Sequence, residues 1–252
     1  MDMKETKIQY VLHLADNALI LGQRLGEWCG HGPVLEQDIA MTNISLDYIG
    51  RARLLYQYAA ELQGPDSTED QLAFLRDEWD YKNCLLVEHP NVDFAYTVAR
   101  QFFMDAFQFP YFMILCSSND KRLSSIAEKT VKETAYHLKW SAEWMIRLGD
   151  GTEISNQKIQ IAVNDLWSFT GELFESSPYE DQMIKEGMIP DISAIKDQWF
   201  SKIQEVFERA HIVKPSSEWM QTGGKSGQHT EQLGYILASL QYMQRAYPGL
   251  VW

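Results

Sequence analysis

The sequence predicts an all-α protein built on a four-helix bundle, with additional helices toward its C-terminus. Apolar residues recur at spacings of three and four along most of the chain, as at Ile8, Val11 and Leu12. Alternation typical of β-strands is absent from the sequence. Four predicted helices are longer than average and are joined by short loops, which is the pattern of a four-helix bundle.

Turn-forming residues separate the predicted helices. His31–Pro33 ends the first helix, Gly64–Ser67 ends the second, and Ser117–Asp120 separates the third from the fourth. The four long helices are predicted at Lys7–Trp28, Val34–Leu62, Val92–Cys116 and Lys121–Leu148. Other helices are predicted at Glu69–Val87, with an uncertain break, and at Glu153–Phe174, Ile192–Ala210 and His229–Arg245, with loops at Ser176–Asp181 and Pro190. No loop resembles a domain linker, so we expect one domain over residues 1–252.

The composition indicates a soluble protein with enough apolar residues for a sizeable core. The chain has 252 residues, 45% of them hydrophobic, and a mean hydropathy of -0.31. No apolar run reaches the roughly 20 residues of a membrane helix, and no secretory signal is visible. The three cysteines, Cys29, Cys84 and Cys116, are widely spaced, which suggests reduced thiols and a cytoplasmic location. The net charge of -13 argues against a main role in nucleic-acid binding, which needs basic surface.

The segment KETAYHL suggests a metal site. Glu133 and His137 are four residues apart on a predicted helix, so both side chains project from one face. Di-iron bundles use a related pattern, Glu-x-x-His, on each of two helices and a Glu on each of the other two. The other three long helices offer these carboxylates: Asp16 or Glu27, then Asp47, then Asp105.

The set of candidate metal ligands is nevertheless incomplete. The second long helix has no histidine, and the residue three after Asp47 is Gly50, which cannot bind a metal. Three interpretations of these acids and of His137 stay open. They form a metal site, or they are ordinary polar residues of a helix, or they hold one another in a buried polar network that replaces a metal.

Two further segments are candidates for anion binding. TGGKSG, Thr222–Gly227, lacks the spacing of a Walker phosphate loop, but it is compatible with a looser anion site or with a flexible turn. In RDEWDYKNCLLVEHPN, Arg76–Asn91, charged and aromatic residues mix near a predicted helix break. The second segment is either a contact for an acyl-CoA head group or a solvated helix face. The residues concerned are Asp80, Tyr81, Lys82 and Asn83.

Several segments together carry a family resemblance. They are RLGEWCGHGPVLEQDIA, NISLDYIGRAR, LAFLRDE, LLVEHPN, KETAYHL and TGGKSGQHTEQLGYILASLQYMQR, followed by PGLVW. With these segments the chain resembles the C-subunit family of the bacterial multicomponent phenylacetyl-CoA epoxidase, a ring-oxidising system of phenylacetate catabolism. The segments span nearly the whole chain in order, so the resemblance is specific.

The resemblance implies a ferritin-like bundle and a division of labour among subunits. A catalytic A subunit would hold the di-iron centre that activates oxygen, and this chain would support it without binding a cofactor. The resemblance also implies a small B subunit and a reductase that docks transiently and brings NADPH, FAD and an iron–sulfur cluster. The vestigial di-iron positions would then be Asp16, Asp47, Asp105, Glu133 and His137.

We therefore expect a non-catalytic structural subunit of the epoxidase, with no catalytic, cofactor-binding or metal-binding residue of its own. Phenylacetyl-CoA at the interface between subunits and a homodimer of the isolated chain are both compatible with this function. Nucleic acid and membrane are not expected partners. The alternative is a di-iron oxygenase or oxidoreductase that is active in its own right and uses the same five side chains.

Overall fold

The fold is that of a computed structural model, and the structure describes residues 2–250, so both ends of the predicted 1–252 domain lie outside it. The described part contains ten α-helices and no β-strand, which confirms the predicted all-α class. The first five helices are α1 (Met3–Gly26), α2 (Leu35–Gln63), α3 (Glu69–Phe74), α4 (Phe94–Leu115) and α5 (Lys121–Gly149). The four long helices among them lie close to their predicted positions.

The four long helices form two hairpins that pack together into a bundle, consistent with the ferritin-like fold. Helix α1 packs along α2, α4 packs along α5, and α2 also contacts α5. Gly22 of α1 allows close approach, because a Cβ there would lie 3.2 Å from the Cβ of Tyr48 on α2. The core between the helices is a continuous set of buried apolar side chains.

The start of α5 is tied to the first hairpin through one carboxylate. Asp120 caps α5 by accepting hydrogen bonds from the backbone N–H groups of Arg122 (3.0 Å) and Leu123 (3.1 Å). Its second oxygen accepts from Lys7 Nζ at 2.7 Å and from the Tyr58 hydroxyl at 2.6 Å. One residue therefore fixes the position of α5 against α1 and α2.

The connection between α3 and α4 differs from the prediction. The sequence predicts one helix over Glu69–Val87, but the helix ends at Phe74 and only short 3-10 turns follow. The backbone N–H groups of this connection bind side chains of other elements instead of helical carbonyls. Lys82 N donates to Asp16 and Cys84 N to Asn17. Side chains far away in the sequence thus determine this conformation.

Five shorter helices follow the bundle. They are α6 (Glu153–Trp167), α7 (Pro178–Lys185), α8 (Lys196–Arg209), α9 (Glu231–Leu240) and α10 (Tyr242–Ala246). The predicted loop at Ser176–Asp181 is wrong, because α7 begins inside it. Ser177 and Glu180 form a capping box at its start, and Pro178 occupies the first helical position, where a missing N–H costs nothing.

The composition predicts no membrane helix and reduced cysteines. None of the helices within residues 2–250 combines the length and the apolar character that a bilayer span requires. Cys29, Cys84 and Cys116 are all free thiols, and Cys84 is buried.

Candidate functional site

Three bundle helices turn buried polar side chains toward the centre of the bundle. On each helix the inward positions follow a 4-3-4 spacing, which keeps them on one face. These positions are Ile44, Tyr48, Arg51 and Leu55 on α2, Gln101, Asp105, Gln108 and Phe112 on α4, and Thr130, Thr134, His137 and Ser141 on α5. The bundle-centre cluster is defined as Tyr48, Arg51, Gln101, Asp105, Gln108, His137 and Ser141.

Asp105 is the buried acid of the bundle-centre cluster. Its carboxyl accepts hydrogen bonds from Ser141 Oγ at 2.8 Å and Gln101 Nε2 at 2.7 Å, and it lies 3.1 Å from the Tyr48 hydroxyl. Burial raises the pKa of Asp105 to about 7, although these hydrogen bonds lower it in part. The Tyr48 hydroxyl has one hydrogen for two nearby acceptors, Asp105 and Gln108 (2.9 Å). A protonated Asp105, which itself donates, completes this hydrogen-bond pattern.

Arg51 places a positive charge at the centre of the bundle. Its guanidinium lies 4.6 Å from the Tyr48 ring centroid and 5.0 Å from that of Phe112. Nη1 donates to Gln108 Oε1 at 2.9 Å, and the nearest carboxylate oxygen, of Glu133, is 3.6 Å from Nη2. Within residues 2–250, Nε and Nη2 make no hydrogen bond although both are buried. The cation is therefore held by two aromatic faces and one hydrogen bond, and only weakly by an acid.

His137 connects the cluster to the surface through Asp47. Its Nε2 lies 3.0 Å from Asp47 Oδ2, and its ring stacks on Tyr48 with a centroid distance of 5.2 Å. His137 is fully buried, whereas the Asp47 side chain is 40% exposed. Burial lowers the pKa of His137, even though the Asp47 hydrogen bond acts in the opposite direction. The neutral imidazole is therefore the favoured form.

Asp16 belongs to a separate group of buried side chains. It forms an ion pair with Arg76 and accepts hydrogen bonds from the Tyr56 hydroxyl at 2.6 Å and from Lys82 N at 2.8 Å. The Arg76 guanidinium also lies 4.2 Å from the Tyr81 ring centroid. Asp16 shares no hydrogen-bond partner with the other four predicted positions within the described residues. The structure thus brings Asp47, Asp105, Glu133 and His137 around Tyr48 and Arg51, and leaves Asp16 outside.

The donor set at the bundle centre does not fit a pair of iron ions. The residue three before His137 is Thr134, whose hydroxyl donates to the Thr130 carbonyl at 2.9 Å. On α2 the matching inward pair, three residues apart, is Tyr48 and Arg51. Residues 2–250 contain no group of three or more His, Cys, Asp or Glu side chains placed to hold a metal ion. A buried guanidinium also repels a cation at this point.

Comparison with known proteins assigns the family. The family model described as phenylacetic acid catabolic protein matches residues 1–252. The chain belongs to this family. It is 47% identical over 243 residues to the C subunit of the 1,2-phenylacetyl-CoA epoxidase of Escherichia coli K12, and the match covers 96% of this chain and 98% of that relative.

The sequence of this family member also indicates inward-facing polar side chains that are not metal ligands. Arg51 follows Ile44 and Tyr48 at the spacing of an inward apolar stripe, which predicts burial of its charge. Gln101 and Gln108 flank Asp105 at the same spacing on α4. The position three residues after Asp47, where a di-iron motif would carry a histidine, is Gly50, and the buried charge on α2 belongs to the next residue, Arg51.

Of the four residues predicted to contact acyl-CoA, two are buried and two reach the surface. Tyr81 is fully buried and donates to the Ala73 carbonyl at 2.6 Å. Asn83 is fully buried and donates to Glu88 at 2.9 Å. Asp80 and Lys82 are the members of this set with side chains at the surface.

The glycine-rich segment Thr222–Gly227 is packed against the α3–α4 connection. Lys225 is buried, and its ammonium lies 3.1 Å from the Glu180 carboxylate. A Cβ on Gly224 would lie 2.3 Å from the Asn83 carbonyl oxygen, so only glycine fits there. The Lys225 ammonium is paired with Glu180 within the chain, so it is not available to bind an anion. The segment packs against the α3–α4 connection and is not a flexible turn.

Proposed function

We propose that this chain is a non-catalytic structural subunit of a phenylacetyl-CoA epoxidase in phenylacetate degradation. The observation that carries the proposal is the bundle centre, where Arg51 and its neighbours occupy the place in which a di-iron bundle needs carboxylates and imidazoles. The similarity to an epoxidase C subunit over nearly the full length of both chains supports the same function. The five predicted di-iron positions then serve stability, and the whole chain acts as one ferritin-like domain.

The outer face of α2 supplies a surface for a partner. Leu35, Ile39, Leu46 and Ile49 lie along this face, and their exposed fractions are 71%, 51%, 60% and 37%. We name these four residues the α2 stripe. The opposite face of α2 is buried in the bundle, so the helix is apolar on both sides. A row of exposed apolar side chains on the outer face of a bundle helix is typical of a surface that another subunit covers.

We propose that the α2 stripe packs against the catalytic A subunit of the epoxidase. The A subunit would carry the di-iron centre, and a B subunit and a reductase with NADPH, FAD and an iron–sulfur cluster would complete the system. A bundle of fixed shape supports such a partner by covering its apolar surface and holding its metal-bearing helices in place. In the absence of the A subunit, the same stripe favours a homodimer of this chain.

Co-purification with the A subunit tests this function. Leu46→Asp places a charge in the α2 stripe, and we expect it to abolish recovery of the tagged A subunit. Ile161→Asp is the matched control, because Ile161 of α6 is 58% exposed and lies outside the stripe. Equal recovery with both variants, both folded by circular dichroism, would exclude the α2 stripe as the interface. Oxygen-dependent epoxidation by this chain without the A subunit would exclude the structural function itself.

A further inference from the structure

An open groove lies on the flank of the molecule, away from the bundle-centre cluster and the α2 stripe. The end of α6, the turn at Gly171–Phe174 and the start of α8 form its floor. The segment that follows α8, residues 214–220, forms its outer wall. Its volume is about 480 Å³, within the range of pockets that hold small molecules.

The floor of the groove is aromatic. Trp199 is buried, and its ring centroid lies 5.3 Å from that of Phe174 and 5.1 Å from that of Phe200. Its indole N–H donates to the Phe103 carbonyl at 3.1 Å, which fixes the ring. Phe174 and Phe200 are half-buried, and their planes lie within 17° of parallel at a centroid distance of 6.5 Å. The groove therefore presents firmly held aromatic faces to a ligand.

Two lysines stand over these aromatic faces. The Lys196 ammonium lies 6.0 Å from the Phe174 centroid, and the Lys214 ammonium lies 5.1 Å from the Phe200 centroid. Neither lysine forms an ion pair within residues 2–250, although the chain has a net charge of -13. One carboxylate, that of Glu218, also lines the groove, so the lysines outnumber it. The groove is thus a cationic aromatic site on an acidic protein.

The outer wall is held at both ends and has unused hydrogen-bonding groups between them. Val213 N donates to Gln160 Oε1 at 2.8 Å, and Gln221 N donates to the Ser168 carbonyl at 2.8 Å. Ser216 and Ser217 line the groove, and their side chains have no hydrogen bond within the described chain. The wall therefore encloses the groove without filling it.

We infer that this groove binds a small aromatic carboxylate. The ring of the ligand stacks against Phe174 and Phe200, and its carboxylate takes the ammonium groups of Lys196 and Lys214 as partners. The hydroxyls of Ser216 and Ser217 supply further donors. An aromatic amine lacks the negative charge that pairs with the two lysines. An aliphatic ring of the same size lacks the flat face that stacks on Phe174 and Phe200. The site is separate from the proposed subunit function, because it shares no residue with the α2 stripe.

A titration of the purified full-length chain tests this site. We choose 4-fluorophenylacetate as the probe, followed by ¹⁹F NMR, because the family is described by phenylacetic acid catabolism. We expect saturable binding that phenylacetate displaces and that cyclohexylacetate and 2-phenylethylamine do not. We expect Lys214→Met to weaken binding about tenfold, which corresponds to one charge-assisted contact. Lys202→Met is the matched control on α8, since Lys202 pairs with Glu205 outside the groove.

The outcomes separate a ligand site from a structural contact. If the lysines only pack the outer wall onto the aromatic rings, Lys214→Met will lower the melting temperature without changing probe binding. Absence of saturable binding, or equal binding by Lys214→Met and Lys202→Met, would overturn the inference. Ser216→Ala gives a second test that leaves the packing of the rings intact, and we expect a twofold to fivefold loss of probe affinity.

Discussion

The guanidinium of Arg51 lies over the ring of Tyr48, 4.6 Å from its centroid, in the middle of the four long helices. These two residues are three apart on α2, the spacing at which a di-iron bundle carries a Glu and a His. The centre of this bundle is thus organised by a cation and aromatic rings. A side chain that belongs to the protein provides the positive charge that metal ions provide in related folds.

Arg51→Met tests what this buried cation does for stability. Methionine keeps much of the volume of the arginine stem, but it removes two donors that have no hydrogen bond together with the Nη1 hydrogen bond to Gln108. We expect the free energy of unfolding in urea to stay within about 1 kcal/mol of the native chain or to rise. Arg51→Ala leaves a cavity and should lose about 2–4 kcal/mol. Equal losses in the two variants would contradict this description of the cluster.

Asp105→Asn should change how stability depends on pH. The folded chain holds the Asp105 proton up to about pH 7, whereas an unfolded aspartate releases it near pH ~3.9. The folded state binds more protons between these values, so stability falls as the pH rises through that window. We expect the variant to lose less stability than the native chain between pH 5 and pH 8, by at least about 1 kcal/mol.

Thermal or urea unfolding across this pH range measures the difference. Asp165→Asn is the control, since Asp165 is exposed on α6. Parallel stability curves for the native chain and Asp105→Asn would show that Asp105 does not hold a proton in the folded state.

Asp16→Ala should destabilise the chain strongly. The change leaves Arg76 without its carboxylate and removes the acceptor of the Tyr56 hydroxyl and of Lys82 N. Loss of one member of a buried ion pair costs about 3–5 kcal/mol. Glu143→Ala removes an exposed ion pair with Arg147 and should leave the melting temperature nearly unchanged. Similar effects of the two changes would show that the Asp16 group is not a main support of the fold.

Lys82→Ala tests the predicted contact with an acyl-CoA head group. Lys82 is half-buried at the surface of the α3–α4 connection, and its ammonium faces Gly227. We expect the assembled complex to bind phenylacetyl-CoA about threefold to tenfold more weakly, because one charge-assisted contact is lost. Lys121→Ala, at an exposed lysine on α5, is the control for net charge. Unchanged affinity in both variants would remove Lys82 from the substrate site.

The sequence predicts the long helices well because each is decided by local periodicity and by clear turn residues. The predicted helix over the α3–α4 connection is wrong because its conformation is not decided locally. Its backbone donors bind Asp16 and Asn17, which lie more than sixty residues earlier, and no local pattern reports such bonds. At the candidate site, too, the sequence predicts which side chains face inward but not which side chains they contact. The 4-3-4 spacing indicates that Asp105 and His137 face inward, but their partners depend on which helices become neighbours.

The central claim is that this chain supports a catalytic partner and performs no redox chemistry itself. The most direct test is the epoxidation rate of the reconstituted complex that contains the double variant Asp47→Asn/His137→Gln. These changes remove the imidazole and the carboxylate that lie 3.0 Å apart at the candidate site. We predict that the assembled complex retains at least about half of the native turnover, since no transition-state contact is lost. Abolished turnover in a complex that assembles normally would contradict the claim.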